Sequence, residues 1–162
     1  MEKLYREQIK SSGTSLLFLF FSILFFTLFG WRFSTVGLRF FPGLFAFLGT
    51  FFLLYVFNFR VLEITINSTQ LKLKFGLISW RTSLDNIREA RLDDSPAIIK
   101  YSGAGVHFAF VKGIYRAFFN FLEYSRVLVS FKVKQSLVQE LVFTTRQPDQ
   151  VLAFINTRIS QP

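Results

Sequence analysis

The amino-acid sequence predicts an α+β membrane protein, in which a hairpin of two transmembrane helices precedes an antiparallel β domain with a C-terminal helix. Three observations lead to this prediction: two long uncharged apolar stretches, a change to alternating polarity after residue 60, and an amphipathic segment near the C-terminus. Of the 24 Phe residues, 15 lie in residues 1–60, so the apolar content is concentrated where the spans are predicted.

The two apolar stretches are long enough to cross a bilayer. Residues 11–31 and 40–59 contain no charged side chain, and about 20 helical residues cross a hydrocarbon core of about 30 Å. A signal peptide has a shorter apolar stretch and a small-residue cleavage site, whereas the first stretch ends in Gly30-Trp31-Arg32-Phe33. Buried helices that are apolar on all sides need a larger protein around them. We therefore predict membrane helices at about 13–31 and 40–59.

A short connection, residues 32–39, forces the two predicted helices to be antiparallel. Small side chains recur on one stripe of the second helix, where close approach of the first helix is expected. The residues of this stripe are Gly43, Ala46, Gly49 and Thr50, with Ser15, Ser22 and Thr27 as candidates to face them. The alternative is that small residues are merely tolerated in membrane helices, and the sequence supports both interpretations equally.

Basic residues flank the predicted hairpin more than they occupy its connection. Those outside are Lys3, Arg6, Lys10, Arg60, Lys72 and Lys74, and those between the spans are Arg32 and Arg39. Because positive charge is retained on the cytoplasmic side, both termini are predicted to be cytoplasmic. Residues 1–12 are then a cytoplasmic N-terminal segment, residues 13–59 the hairpin, and residues 60–162 a cytoplasmic domain.

After residue 60 the apolar residues alternate with polar ones, which is typical of strands with one buried face. Leu62, Ile64 and Ile66 begin this pattern, and residues 71–75 and 78–81 continue it as a meander. Further strands are predicted at 88–93, 106–111, 117–122, 127–134 and 139–144. A helix is predicted from Pro148 to Ile159, because Pro suits its first position and one apolar stripe follows.

Three segments carry a resemblance to a known family: Trp80–Ile87, Tyr101–Phe108, and Val142–Asp149 before the last helix. Their order, after two hydrophobic helices, resembles that of bacterial membrane proteins with a pleckstrin-homology-like (PH-like) domain. The resemblance covers nearly the whole chain. It implies a seven/eight-stranded antiparallel β-barrel made of two antiparallel sheets packed nearly orthogonally, with one open corner plugged by the C-terminal helix, at the bacterial cytoplasmic (inner) membrane. It implies little about activity, since one barrel type serves many unrelated roles.

The sequence offers no recognisable catalytic constellation. His107 is the only His and Cys is absent, so a metal site with converging ligands is not expected. Asp93-Asp94 precedes Ser95-Pro96 and is interpreted as a solvated turn and helix cap rather than an acid–base pair, with an irregular or short helical stretch up to Tyr101. Gly103-Ala104-Gly105 leads into a strand rather than a helix, which favours a turn over a phosphate loop. We predict no enzyme activity and no cofactor.

Outward-facing cations are the candidate contacts for anionic lipid or a partner. They are Arg60, Lys72, Lys74 and Arg81, while Lys100, Lys112 and Arg116 are placed in or near later loops. The alternative is a solvated strand face that prevents edge aggregation. The loop at 67–69 has no basic residue, unlike the phosphoinositide-binding loop of many eukaryotic PH domains. No nucleic-acid motif accompanies the charge.

Aromatic residues at 118, 119, 121 and 124 are predicted on both faces of one strand, and one face belongs to the core. The other face is exposed, covered by the preceding loop, or in contact with a partner or the membrane interface. The leading hypothesis is an accessory or scaffolding subunit that binds another membrane-protein subunit at the cytoplasmic surface. An anionic-lipid sensor is the alternative, and a lipid-modifying enzyme is the least supported because no nucleophile–base pair can be named. The expected partners are membrane lipids and other membrane-protein subunits, without nucleic acid.

Overall fold

The computed structural model describes residues 5–96 and 103–159. The chain divides into two compact units. One unit is Ser11–Arg60, called here the helical unit, and the other combines the residues on both sides of it, called here the β unit. The polypeptide therefore enters the β unit, leaves it for fifty residues and returns to it.

The helical unit contains the two predicted helices, α1 (Ser12–Val36) and α2 (Phe40–Asn58). Both are long and apolar enough to cross a membrane, and only 11% of the most apolar window of each is buried. The backbone amide of Thr14 donates to Ser11 Oγ at 3.0 Å, which caps the start of α1. At its end Gly37 adopts φ 68°, which suits glycine. Because α1 continues to Val36, the connection is shorter than the predicted residues 32–39.

Helices α1 and α2 approach each other closely at Gly49. Ser22 Oγ donates to the Gly49 carbonyl oxygen at 2.9 Å, which joins the two helices directly. A Cβ placed on Gly49 would lie 3.0 Å from Cγ of Phe26, so no larger side chain fits without movement. Next to this contact the rings of Phe25 and Phe52 stack in parallel, with centroids 5.7 Å apart.

The β unit begins with a strand that the sequence analysis did not predict. Sheet 1 is antiparallel and consists of β1 (Tyr5–Lys10), β2 (Val61–Ile66), β3 (Gln70–Phe75) and β4 (Ile78–Ser83), in that order. Lys10 lies directly opposite Val61 in the pairing of β1 with β2. The helical unit is thus inserted in the connection between two neighbouring strands of one sheet.

Sheet 2 follows a 3-10 turn at Leu84–Asn86. Its strands are β5 (Ile87–Leu92), β6 (Gly105–Val111), β7 (Ile114–Asn120), β8 (Ser125–Gln135) and β9 (Val138–Thr145), arranged in the order β5-β8-β9-β7-β6. Helix α3 (Pro148–Ile159) ends the described chain and buries Val151 and Ile155. Strand β9 lies between β8 and β7. It is antiparallel to β8 and parallel to β7.

The predicted strands after residue 60 and the C-terminal helix are confirmed, mostly within two or three residues. The predicted α+β class, with two N-terminal helices, two sheets and a C-terminal helix, is confirmed. The predicted closure into a seven/eight-stranded antiparallel barrel is wrong, because the two sheets remain separate, the described chain has nine strands, and one strand pair is parallel. The chain leaves sheet 1 at the 3-10 turn, so β4 does not pair with β5. Asp93–Pro96 lacks regular structure, and the rest of the stretch predicted up to Tyr101 lies outside the described residues.

The core of the β unit lies between the inner faces of the two sheets. The alternating apolar residues of sheet 1 are fully buried: Leu62, Ile64, Ile66, Leu71, Leu73 and Phe75. The Phe75 ring lies 5.0 Å from that of Phe121 and 6.2 Å from that of Phe119 on sheet 2, measured between centroids. Burying each such side chain contributes about 1.5–3 kcal/mol.

Strand β1 is held by both sheets. Ile9 is completely buried in the core. Glu7 accepts hydrogen bonds from the Tyr5 hydroxyl at 2.8 Å, from Thr145 Oγ1 at 2.6 Å and from the Arg146 amide at 2.9 Å. Burial, followed by the hydrogen bond to Glu7, raises the pKa of Tyr5 to about 12. One carboxylate of sheet 1 therefore binds the end of sheet 2.

The burial of Ile9 predicts that β1 is part of the stable fold of the β unit. Ile9→Ala is expected to lower the free energy of unfolding by about 2–5 kcal/mol, because it leaves a cavity. Denaturant titration of the full chain in detergent, followed by Trp80 fluorescence in a Trp31→Phe background, measures this. The control Gln8→Ala, at an exposed position of the same strand, is expected to change stability by about 0.5 kcal/mol or less. Equal effects of the two substitutions would contradict the prediction.

The close approach at Gly49 predicts a position-specific effect in α2. Gly49→Leu is expected to destabilise the packing of α1 against α2 by about 1–3 kcal/mol, because the new side chain overlaps Phe26. Gly43→Leu is the matched control, since a Cβ at Gly43 meets nothing within 4 Å. Thermal unfolding in detergent distinguishes the two variants, and a loss at Gly43 as large as that at Gly49 would disprove the assignment.

Candidate functional site

The outer face of sheet 1 carries a row of cations. The strand register places Arg6, Thr65, Lys72 and Arg81 directly opposite one another across the four strands. Lys74 lies in the neighbouring row, between Glu63 and Ser79. Sheet 1 thus brings together three of the four predicted cations and adds Arg6, which was missed because β1 was not recognised. We call Arg6, Lys72, Lys74 and Arg81 the basic face.

The cations of the basic face lack close counter-charges. Among residues 5–96 and 103–159, no carboxylate oxygen lies within 4 Å of a basic-face nitrogen. Glu63 interacts with Gln8, whose Nε2 donates to its Oε1 at 3.1 Å. The fourth predicted cation, Arg60, is exposed and belongs to the helical unit.

The predicted small-residue stripe of α2 makes its interhelical contact at one position. Gly49 is buried against Phe26, as described above. Ala46 and Gly43 are half-buried and Thr50 is exposed. Of the residues expected to face the stripe, Ser22 does so, whereas Ser15 and Thr27 donate to carbonyl oxygens one turn earlier in their own helix.

Four buried charges connect β7, β8 and β9 with the segment that follows β5. Arg116 Nε donates to Glu140 Oε2 at 2.6 Å, and Ser130 Oγ donates to Glu140 Oε1 at 2.9 Å. The Asp93 carboxylate lies 2.7 Å from Arg126 NH2 and 3.7 Å from Arg116 NH1. The side chains of Asp93, Arg116, Arg126 and Glu140 are at most 6% exposed.

This charged cluster corrects two predictions. Asp93 was interpreted as solvated, but its side chain is completely buried; only its neighbour Asp94 is exposed, with Arg91 NH1 at 3.2 Å. Arg116 was placed in or near a loop, but it lies in β7 opposite Glu140 of β9. Sequence alone gave little sign of this, because the pairing depends on a parallel contact between strands that are not consecutive. Lys112 lies in the turn after β6, and Lys100 is outside the described residues.

His107 fits the interpretation of an ordinary strand histidine. Its ring stacks on Phe118 with centroids 4.8 Å apart and an interplanar angle of 1°. Burial, and then the charge of Arg126, lower the pKa of His107, so the neutral ring is favoured. Within residues 5–96 and 103–159 no group of three or more His, Asp or Glu is placed to hold a metal ion.

The aromatic residues after Ala117 are covered on both faces of the chain. Phe118, Phe119 and Phe121 are at most 1% exposed, which supports the covered-strand interpretation. Tyr124 is partly buried, and its hydroxyl donates to the Lys10 carbonyl oxygen at 3.0 Å.

Among the described residues of the β unit, two strongly exposed Phe side chains lie on β6, at the edge of sheet 2. Phe108 is 49% and Phe110 71% exposed, and both rings lie against that of Tyr115, at 5.9 and 4.8 Å between centroids. We call these three residues the aromatic edge. The aromatic edge was not predicted, although residues two apart in a strand, such as Phe108 and Phe110, lie on the same face.

Comparison of the chain with protein-family models, with curated proteins and with solved structures finds no match. The surfaces described above are therefore the basis for a functional proposal.

The charged cluster predicts a large effect of removing one partner. Arg116→Met is expected to reduce the free energy of unfolding by about 3–5 kcal/mol, because Glu140 is left as a buried, uncompensated charge. Adding Glu140→Leu is expected to restore part of this loss. Denaturant titration of the full chain measures both effects, with Lys74→Met on the exposed basic face as the control. A loss below about 0.5 kcal/mol for Arg116→Met, the range of ordinary surface substitutions, would contradict the prediction.

Proposed function

We propose that this chain is a non-enzymatic, membrane-anchored accessory subunit whose β unit binds another membrane protein at the cytoplasmic face. The observation that carries the proposal is the aromatic edge. A soluble domain rarely leaves neighbouring aromatic rings exposed on an edge strand without a partner, because apolar surface and free backbone groups both favour association. Aromatic residues are also enriched in protein interfaces.

The pairing of β1 with β2 supports anchoring by a hairpin that crosses the membrane twice. Because Lys10 and Val61 lie opposite each other, the segment between them has to leave and return on the same side of the bilayer. One crossing by α1 therefore requires a second crossing by α2. Removal of α1 as a signal peptide is disfavoured, since cleavage would separate β1 from the core that holds Ile9.

We also propose that both termini are cytoplasmic and that the β unit is distantly related to PH-like domains. The excess of Lys and Arg outside the hairpin supports cytoplasmic termini and a bacterial inner membrane. The order of a meander, a second sheet and a terminal helix supports a distant relation to PH-like domains, without a closed barrel.

The proposed topology predicts opposite accessibility of the connection between the helices and the β unit. The chain lacks Cys, so an introduced cysteine is the only thiol in the chain that the reagent can label. Leu38→Cys, in the connection, is expected to react with a membrane-impermeant thiol reagent in right-side-out vesicles. Leu77→Cys, at a 96% exposed position of the β unit, is expected to react only in inverted vesicles. Labelling of both from the same side would overturn the double crossing.

The proposed role predicts a partner that depends on the aromatic edge. Full-length chain at native level is expected to co-purify from gently solubilised membranes with a defined membrane protein, and Phe110→Asp is expected to abolish that association. Leu92→Asp is the matched control, since Leu92 is 53% exposed on the opposite edge strand, β5. Native mass analysis provides the measurement. A monomer without any partner, or equal loss with both variants, would refute the role.

A second candidate function, an anionic-lipid sensor, is favoured by the register of the basic face. Cations close to an anionic surface contribute about 1 kcal/mol each. Full-length chain in neutral nanodiscs is expected to bind added anionic vesicles at low salt, and less at high salt. The triple variant Arg6→Gln, Lys72→Gln, Arg81→Gln is expected to bind more weakly. Equal binding to neutral and anionic vesicles would eliminate this function.

A further inference from the structure

We propose that a basic cavity at one end of sheet 2 binds a phosphate-bearing anion. The cavity has a volume of about 320 Å³, which lies within the range of small-ligand sites. Its lining residues are Arg88, Ile114, Phe131, Lys132, Lys134, Gln139 and Glu140. It is separate from the basic face, which lies on sheet 1, and the inference does not rest on either function proposed above.

Two irregularities in the strand pairing create this cavity. In β5, Arg88 is an extra residue, because Ile87 lies opposite Phe131 while Glu89 lies opposite Ser130. In the β8–β9 hairpin, four residues (131–134) of β8 face only Gln139 of β9. Such bulges redirect side chains and are frequent next to functional sites. Here they gather the side chains of Arg88, Lys132 and Lys134 around one concave surface.

The bulge in β8 has a fixed geometry. The side-chain amide of Asn86 donates through Nδ2 to the Val133 carbonyl oxygen and accepts from the Val133 amide, at 2.9 Å in each case. Asn86 thus replaces the strand partner that Val133 lacks within the ladder. Because the backbone at Val133 is held in this way, the positions from which the Lys132 and Lys134 side chains extend are fixed before a ligand arrives.

The charge of the cavity is uncompensated. Among the residues that the structure describes, no carboxylate lies within 4 Å of the nitrogens of Arg88, Lys132 or Lys134. Glu140 lines the cavity, but its two oxygens accept from Arg116 and Ser130. By contrast Arg91 and Lys112, elsewhere on sheet 2, both lie near Asp94. These three exposed cations around one small cavity create a positive potential that attracts an anion.

The three cations around the cavity are suited to binding the phosphate group of a phosphate ester. A guanidinium group binds two phosphate oxygens at once, while ammonium groups act as point charges. A second cavity of about 440 Å³ adjoins the first, since Lys134 and Gln139 line both. It is lined also by Leu137 and by two residues of the aromatic edge, Phe110 and Tyr115, so an apolar substituent of the ligand would contact part of the surface proposed for the protein partner. A phospholipid headgroup and a free phosphate ester share the required phosphate group.

The test compares two charge-matched variants of the full-length chain in detergent. The cavity variant is Arg88→Gln, Lys132→Gln, Lys134→Gln. The control is Lys10→Gln, Lys112→Gln, Arg158→Gln, which removes the same charge from positions outside both the cavity and the basic face. Glycerol 3-phosphate, titrated calorimetrically, probes free phosphate esters. Lipid headgroups are probed by comparing the binding of phosphatidic acid with that of phosphatidylcholine, measured by native mass spectrometry.

Both variants are first required to unfold at the same midpoint as wild type. If the cavity variant does not, the single substitution Lys132→Glu replaces it.

The proposal expects wild type to bind at least one phosphate probe, and the cavity variant to bind it about tenfold or more weakly, with the control nearly unchanged. Preference for phosphatidic acid identifies a lipid headgroup as the ligand, and preference for glycerol 3-phosphate identifies a soluble ester. Absence of binding to both probes overturns the proposal. Equal weakening by the cavity variant and the control also overturns it, because the attraction is then a property of overall charge.

Discussion

The structure depends on the pairing of two strands that are separated by the whole helical unit. Strand β1 supplies a fully buried residue, Ile9, and a carboxylate, Glu7, that binds the end of β9 and the residue after it. Without β1, the backbone N–H and C=O groups along one edge of β2 would lack a strand partner, and sheet 1 would lose one of its four strands. The β unit is therefore one folded body built from two distant pieces of chain, and the helical unit is an insertion within it.

Charge is used in two different ways in the β unit. In the cluster of Asp93, Arg116, Arg126 and Glu140 the charges neutralise one another away from water, which fixes the positions of three strands more than it adds stability. On the basic face and around the cavity of sheet 2, cations remain without carboxylates among the described residues. The net charge of +9 is therefore available at surfaces, where it attracts anions.

Periodicity predicted most of this fold, because it reports local burial. The two apolar stretches, the alternation in β2 and β3, and the stripe of α3 each follow from neighbours in sequence. Periodicity failed where partners are distant. Strand β1 has only one apolar residue in the core, Ile9, and the cluster around Arg116 requires β9 to lie beside β7. The same distinction applies to the candidate surfaces. The outward positions of Lys72, Lys74 and Arg81 could be predicted because these residues alternate with apolar residues within strands. The cavity could not be predicted, because it depends on bulges that no sequence pattern indicated.

The insertion of the helical unit between β1 and β2 also sets an order of events during synthesis. Strand β1 is made first and has no partner until fifty further residues have been added, and closing a disordered loop of that length carries an entropic penalty. When α1 pairs with α2, only the few residues between each helix and its neighbouring strand remain disordered. The pairing therefore raises the effective concentration of β2 near β1. Assembly of the helices thus acts as the template on which sheet 1 is completed, and a defect in helix pairing would delay the maturation of the β unit.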